Sequence, residues 1–181
     1  MPKLIRYSPI PLLLTLAFSP QAQAQSTTSD LSDPEVAHVA VTADNIDIEL
    51  AKLAQSRTDN PGVKQFATTM ITDHSAVNAK AKALAGKLQV TPKDNDVSQS
   101  LLKGAAEARG KIEPLKGKAF DRAYIDREVA YHQAVLDELD QVLIPTTSNA
   151  ELKQLLVGVR PAFATHLEHA KQLQSQLVAS K

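Results

Sequence analysis

Asp47, His74, Glu128, His132 and His166 are the residues of this sequence best suited to chemistry. Each offers a carboxylate oxygen or an imidazole nitrogen that can bind a metal ion or move a proton. Each also falls on an apolar stripe of helical period, where a turn of about 100° per residue puts positions three and four apart on one face. Asp47 lies four after Ala43 and three before Leu50, and His74 lies four after Met70 and three before Val77. His166 lies three after Phe163 and four before Ala170. Asp121, Ile125, Glu128, His132, Val135 and Leu139 form one ladder, with Glu128 and His132 a single turn apart. Glu49 and Asp73 flank their stripes, while Glu35, His38, Glu168 and His169 fall on solvated faces.

Burying such groups singly is costly, at about 1–3 kcal/mol for an unpaired polar group and more for an isolated charge. Together they need each other or a cation. A divalent metal would neutralise Asp47 and Glu128 and accept neutral imidazole nitrogens from His74, His132 and His166. Imidazole with carboxylate suits Zn, Fe or Mn, and the lack of sulfur argues against Cu(I) or Fe–S centres. The alternative is a metal-free histidine–carboxylate network. Asp121 reads as a cap or network member rather than a ligand. Tyr124 and Tyr131 read as packed rings whose hydroxyls seek partners.

Four predicted helices position these groups. The first has Asp33 as N-cap, Pro34 and Glu35 in its first turn, and an end near Arg57. The second starts at Asn60-Pro61 and keeps its stripe to Leu88, so a short link makes the two a hairpin. The third runs from about Lys118 to Leu143, where Pro145 stops it. The fourth runs from about Asn149 to Val178 and carries Pro161, which removes a backbone bond and favours a kink. Val90 to Gly117 is a long crossover; Asp96 to Glu113 can be helical there, weakened or broken by glycines and prolines. The five chemical residues lie near the middles of their helices. In an antiparallel arrangement middles meet middles, so they should share one buried layer. The fold class is all-α, a bundle with a long connection between its halves.

The N-terminus has the form of a secretory signal. Lys3 and Arg6 precede the apolar run Ile10 to Phe18, and Ala22-Gln23-Ala24 suits cleavage after Ala24. The run is too short for a span of roughly 20 residues. Residues 1–24 therefore read as a signal peptide, 25–32 as a flexible leader and 33–181 as one domain of an exported, periplasmic protein. The chain has no cysteine, so it has neither disulfides nor thiolate chemistry. Its 20 basic and 20 acidic side chains balance, and no basic stripe stands out, which removes support for nucleic-acid binding. No second apolar run suggests an integral membrane segment. Oligomeric state is not encoded in any motif.

The order and spacing of several short stretches resemble the exported domain-of-unknown-function family 4142. They are Asp47-Ile48-Glu49-Leu50-Ala51-Lys52-Leu53-Ala54, Val63-Lys64-Gln65-Phe66, and Met70 through Ser75 around Asp73-His74. Phe120-Asp121-Arg122-Ala123-Tyr124, His132, Arg160-Pro161 and His166-Leu167 continue the match. The resemblance implies a ferritin-like antiparallel four-helix bundle in the bacterial periplasm or envelope, with no settled activity. It places family positions at His74, His132 and His166 and an acidic position at Asp47, where Glu is commoner; Gln is usual in place of Glu128. Di-iron ferritin chemistry needs E-x-x-H pairs on two helices. Here only Glu35 and His38 have that spacing, off the stripe, so a mononuclear histidine-rich site fits better. The functional expectation is an exported bundle that binds one divalent metal. The alternative is a structural or partner-binding envelope protein whose polar layer fixes helix register. Oxidase or hydrolase chemistry at an open metal, or a bis-histidine haem, finds no supporting motif.

Overall fold

The computed structural model describes residues 31–179. The signal-peptide expectation and residues 25–30 of the expected leader lie outside them. Within the described residues every regular element is helical: α1 (Asp33–Arg57), α2 (Pro61–Leu88), α3 (Asp96–Ile112) and α4 (Gly117–Glu138). A π-helical turn (Leu139–Leu143), a single turn α5 (Ile144–Thr146) and α6 (Ala150–Ala179) follow.

The first helix begins one residue earlier than its proline suggests. Ser32, not Asp33, is the N-cap, in a capping box with Glu35. Asp33 instead accepts hydrogen bonds from the backbone nitrogens of Ser148 (2.8 Å) and Asn149 (2.9 Å), so it anchors the approach to α6. Leu31, placed in the leader by composition, is buried in the core. Asn60 caps α2 through its side chain as its sequence predicts, accepting from Gly62 and Val63.

Contacts at the two ends fix the helix directions. Thr58 donates to Asp121 (2.6 Å) and Arg122 to the Leu177 carbonyl (2.9 Å), joining the end of α1, the start of α4 and the end of α6. At the opposite end Asp33 meets Ser148 and Lys87 pairs with Glu151, joining the start of α1, the end of α2 and the start of α6. Helices α1 and α6 therefore run one way, α2 and α4 the other. The packed pairs are α1 on α2, α4 on α6, and α2 on α6.

The link between α2 and α4 is more regular than its glycines and prolines suggest. Helix α3 is continuous through Gly104 and Gly110, although a Cβ at either would meet nothing. It lies along α1, fastened near its start. Lys93 donates to the Pro34 carbonyl (2.9 Å), Asn95 to the Glu35 carbonyl (3.2 Å), and Ser98 Oγ sits 2.8 Å from His38 Nδ1. His38 is thus half-buried rather than solvated. Pro145 does not stop the helical path at Leu143. It sits in the first turn of α5, where a missing N–H is harmless, and the path ends at Thr147. Pro161 lies inside α6, which continues on both sides of it.

Two apolar clusters fill the interior. One gathers Leu50, Phe66, Met70, Phe120, Tyr124 and Leu173; the other gathers Val36, Leu136, Leu152, Leu156, Phe163 and Leu167. Between them every long helix except α3 places a buried polar residue. Beside the second cluster is a cavity of about 810 Å³ lined mainly by aliphatic side chains from α1, α2, α3, α4 and α6. At about 24 cal/mol per Å³, a sealed vacuum of this order would cost on the order of 20 kcal/mol, above the net stability of a typical domain. The space is therefore a solvent-connected or occupied chamber, not a packing defect.

Candidate metal centre

The layer between the clusters is built from the middles of four helices. Helix α1 supplies Asp44 and Asp47, α2 His74, α4 Glu128 and His132, and α6 His166, all buried. The imidazole rings form a near-equilateral triangle, with centroids 5.7 Å apart for His74–His132, 5.4 Å for His74–His166 and 5.5 Å for His132–His166. Each of the three offers a ring nitrogen within 4.8 Å of the others, and Asp47, Glu128 and His132 form a second such triad. His132 belongs to both, so all five residues singled out from sequence meet in one layer.

Each histidine is anchored through one nitrogen. His74 Nδ1 donates to Asp44 Oδ1 (2.7 Å), His166 Nε2 to Asp73 Oδ2 (2.9 Å), and His132 Nδ1 to the Glu128 carbonyl (3.0 Å). Carboxylates and carbonyls only accept, so the bonded nitrogens carry the protons. The other nitrogens, His74 Nε2, His132 Nε2 and His166 Nδ1, are buried without a hydrogen-bond partner. So are Asp47 Oδ2 and Glu128 Oε2. His74 Nε2 and Asp47 Oδ2 approach to 3.1 Å without hydrogen-bond geometry. Histidines that donate one N–H to an acceptor and present the other nitrogen are arranged as metal ligands usually are.

Sequence reasoning missed two residues of this layer and under-read a third. Asp44 orients His74. Arg127 donates through Nη1 to Asp47 Oδ1 (2.8 Å) and Glu128 Oε1 (2.7 Å), and its guanidinium stacks 3.8 Å over the Tyr131 ring. Asp73, placed at the edge of its stripe, reaches in to hold His166. Asp121 lies outside the layer, where it accepts from Thr58, and Tyr131 donates to the Ala43 carbonyl (2.8 Å). The Tyr124 hydroxyl is buried without a partner. His169, expected in solvent, is half-buried with its ring 5.2 Å from Phe66. Glu35 and His38 are engaged with the cap and α3, away from the layer.

The charges divide unevenly. Burial pushes Asp47 up, but the charges of His74, Arg127 and His132 outweigh it and hold the carboxyl down to about 2. Burial and then the Asp47 charge raise Glu128 well above the usual carboxylate range, with Arg127 only partly offsetting them. The two carboxyls cannot both ionise freely at this separation. Burial opposes a charged His74, yet its bond to Asp44 and the Asp47 charge leave it raised. Burial dominates at the other two: His132 is lowered to about 4 and His166 is lowered as well. Neutral imidazoles at His132 and His166 are the protonation state that metal binding needs.

The family model for the domain of unknown function DUF4142 matches residues 17–173. The chain belongs to this family. No curated protein and no solved structure matches it. The DUF4142 match covers every residue of the layer and ends at Leu173, within α6.

Proposed function

We propose that this DUF4142 protein is an exported, periplasmic ferritin-like four-helix bundle that holds one divalent metal ion, Zn, Fe or Mn. Its ligands are His74, His132 and His166, joined by Asp47 and Glu128. The observation that carries the reading is the tautomer pattern: three histidines each donate one N–H outward and present a bare nitrogen inward. The five polar atoms without hydrogen-bond partners, which fall in two triads sharing His132, would otherwise cost about 1–3 kcal/mol each. The bound ion supplies a positive charge that the buried carboxyls can share. Arg127 already serves their outer oxygens, which leaves charge for one ion rather than two. Export rests on the N-terminal signal pattern of residues 1–24. No helix among the described residues is long and apolar enough to cross a membrane.

Elemental analysis of protein recovered from the periplasm without chelator tests the reading. The expected result is close to one Zn, Fe or Mn per chain, lost in His132→Ala. A folded wild type that carries no metal and takes up none on dialysis against Zn, Fe(II) and Mn would overturn it. A second reading, a metal-free network that fixes helix register, is favoured by the partners Asp44 and Arg127 already provide. It requires His74→Gln to change stability while metal content stays at zero.

A further inference from the structure

We propose that the cavity of about 810 Å³ binds one elongated aliphatic molecule bearing a neutral hydrogen-bond donor, of the long-chain alcohol class. Its volume falls within the roughly 300–1,000 Å³ typical of small-molecule sites. The walls explain a departure from the stripe pattern. Ala40, Val77, Leu84, Leu101, Val135 and Leu155 pack against the second cluster yet stay half-buried, because each also lines this space. They come from α1, α2, α3, α4 and α6, so the chamber is formed by the whole fold and not by one groove. Water is a poor filler, since an ordered water needs two to four polar partners and these walls offer few.

One buried polar atom points to the head group. Asn78 lines the cavity and donates through Nδ2 to Asn45 Oδ1 (2.8 Å), while its own Oδ1 is buried and accepts nothing. That oxygen is closed to a molecule the size of water in the structure, so a ligand hydroxyl supplies the missing donor once the amide turns its oxygen toward the chamber. Of the charged groups on the wall, Asp44 is committed to His74, Arg127 to Asp47 and Glu128, and Asp33 to the Ser148 and Asn149 backbone, while Glu138 is a further acceptor that disfavours an anionic head. An anionic head would have only Lys82, which is exposed at the rim. None of the five proposed metal ligands lines the cavity, so the two sites can be tested separately.

The test is titration of the full chain, and of the chain beginning at Gln25, with N-phenyl-1-naphthylamine, followed by displacement with 1-dodecanol or sodium dodecanoate. One saturable site per chain is expected, displaced by dodecanol at least tenfold more readily than by dodecanoate. Ala81→Phe and Ala105→Phe, which fill the chamber from α2 and α3, should each weaken dye and alcohol at least tenfold with unchanged helical circular dichroism and metal content. Two variants on separate helices guard against one failing to fold. The proposal is overturned if wild type shows no saturable uptake, or if both folded variants bind as wild type does. Tighter binding of dodecanoate would assign the head to an anion at Lys82 and overturn the alcohol class. Binding only by the shorter chain would make residues 1–24 the occupant and overturn it as well.

Discussion

Each histidine of the layer uses its two nitrogens differently, and the residues that make this possible were the hardest to see in the sequence. Asp44 sits three before Asp47, so i,i+3 spacing could have flagged it as a partner on the same side of the helix. Arg127 is adjacent to Glu128 and so lies about 100° off the stripe. Only its length brings the guanidinium inward. The chemical signal for it was charge: two buried carboxyls demand a cation, and an arginine next to one of them supplies it without any metal. Replacing it by Gln takes from Asp47 and Glu128 the cation they share, and losing one partner of a buried pair costs about 3–5 kcal/mol. Urea unfolding of chelator-treated Arg127→Gln should show that loss, with added Zn recovering part of it. A change below about 1 kcal/mol would place Arg127 outside the energetics of the layer.

His132 gives the layer a pH dependence. Its folded value, about 4, lies below the usual 6.5, because burial outweighs the opposing Asp47 charge. Between those values the unfolded chain takes up a proton that the folded chain refuses, so the contribution falls as pH drops from 6.5 to 4. His74 is raised and acts in the opposite sense, favouring the folded state when protonated. The two separate in a comparison of metal-free wild type with His132→Gln. Wild type should lose stability relative to the variant across that window. A difference independent of pH would show that His132 does not titrate between the two states.

At the scale of elements, most of the helical pattern was legible because stripes, caps and prolines agree. The errors fall where local signals compete with distant contacts. Asp33 has the composition of an N-cap, but the approach to α6 claims its carboxylate and Ser32 takes over the cap. Helix α3 contains glycines that weaken a helix in isolation, yet it persists against α1. Glycine cost and glycine need can be separated experimentally. Gly110 has open space where a Cβ would go, so Gly110→Ala should stabilise the protein by about 0.5–1 kcal/mol. At Gly62 a Cβ would sit 3.0 Å from Leu173 Cδ2 and 3.3 Å from the capping Asn60 Oδ1. Gly62→Ala should therefore lower the thermal midpoint while Gly110→Ala raises it. Equal shifts of one sign would remove the steric argument.

For the whole molecule, the all-helical class and the depth of the polar layer followed from periodicity alone. The cavity did not, because stripe counting assumes that facing apolar residues touch. Val77, Leu84 and Leu101 satisfy the stripe and pack against the second cluster, yet each also lines the chamber. Metal should act on the entire fold. An ion at 1,000 times its Kd adds about 4 kcal/mol by mass action, so chelation should lower the thermal midpoint of wild type and leave His132→Ala unmoved.

The unequal links between helices carry a further consequence for the order of assembly. Residues 58–60 close α1 on α2 locally, and the π turn with α5 leads α4 directly back along α6, whereas the long path through α3 separates these hairpins. Asp47 and His74 belong to the first hairpin; Glu128, His132 and His166 belong to the second. Neither hairpin alone holds the complete ligand set, so no half-formed chain offers the full site. A metal would be captured only after the hairpins dock, and it would have to be released before they part. Its signature would then be a slower unfolding rate with little change in the rate of folding.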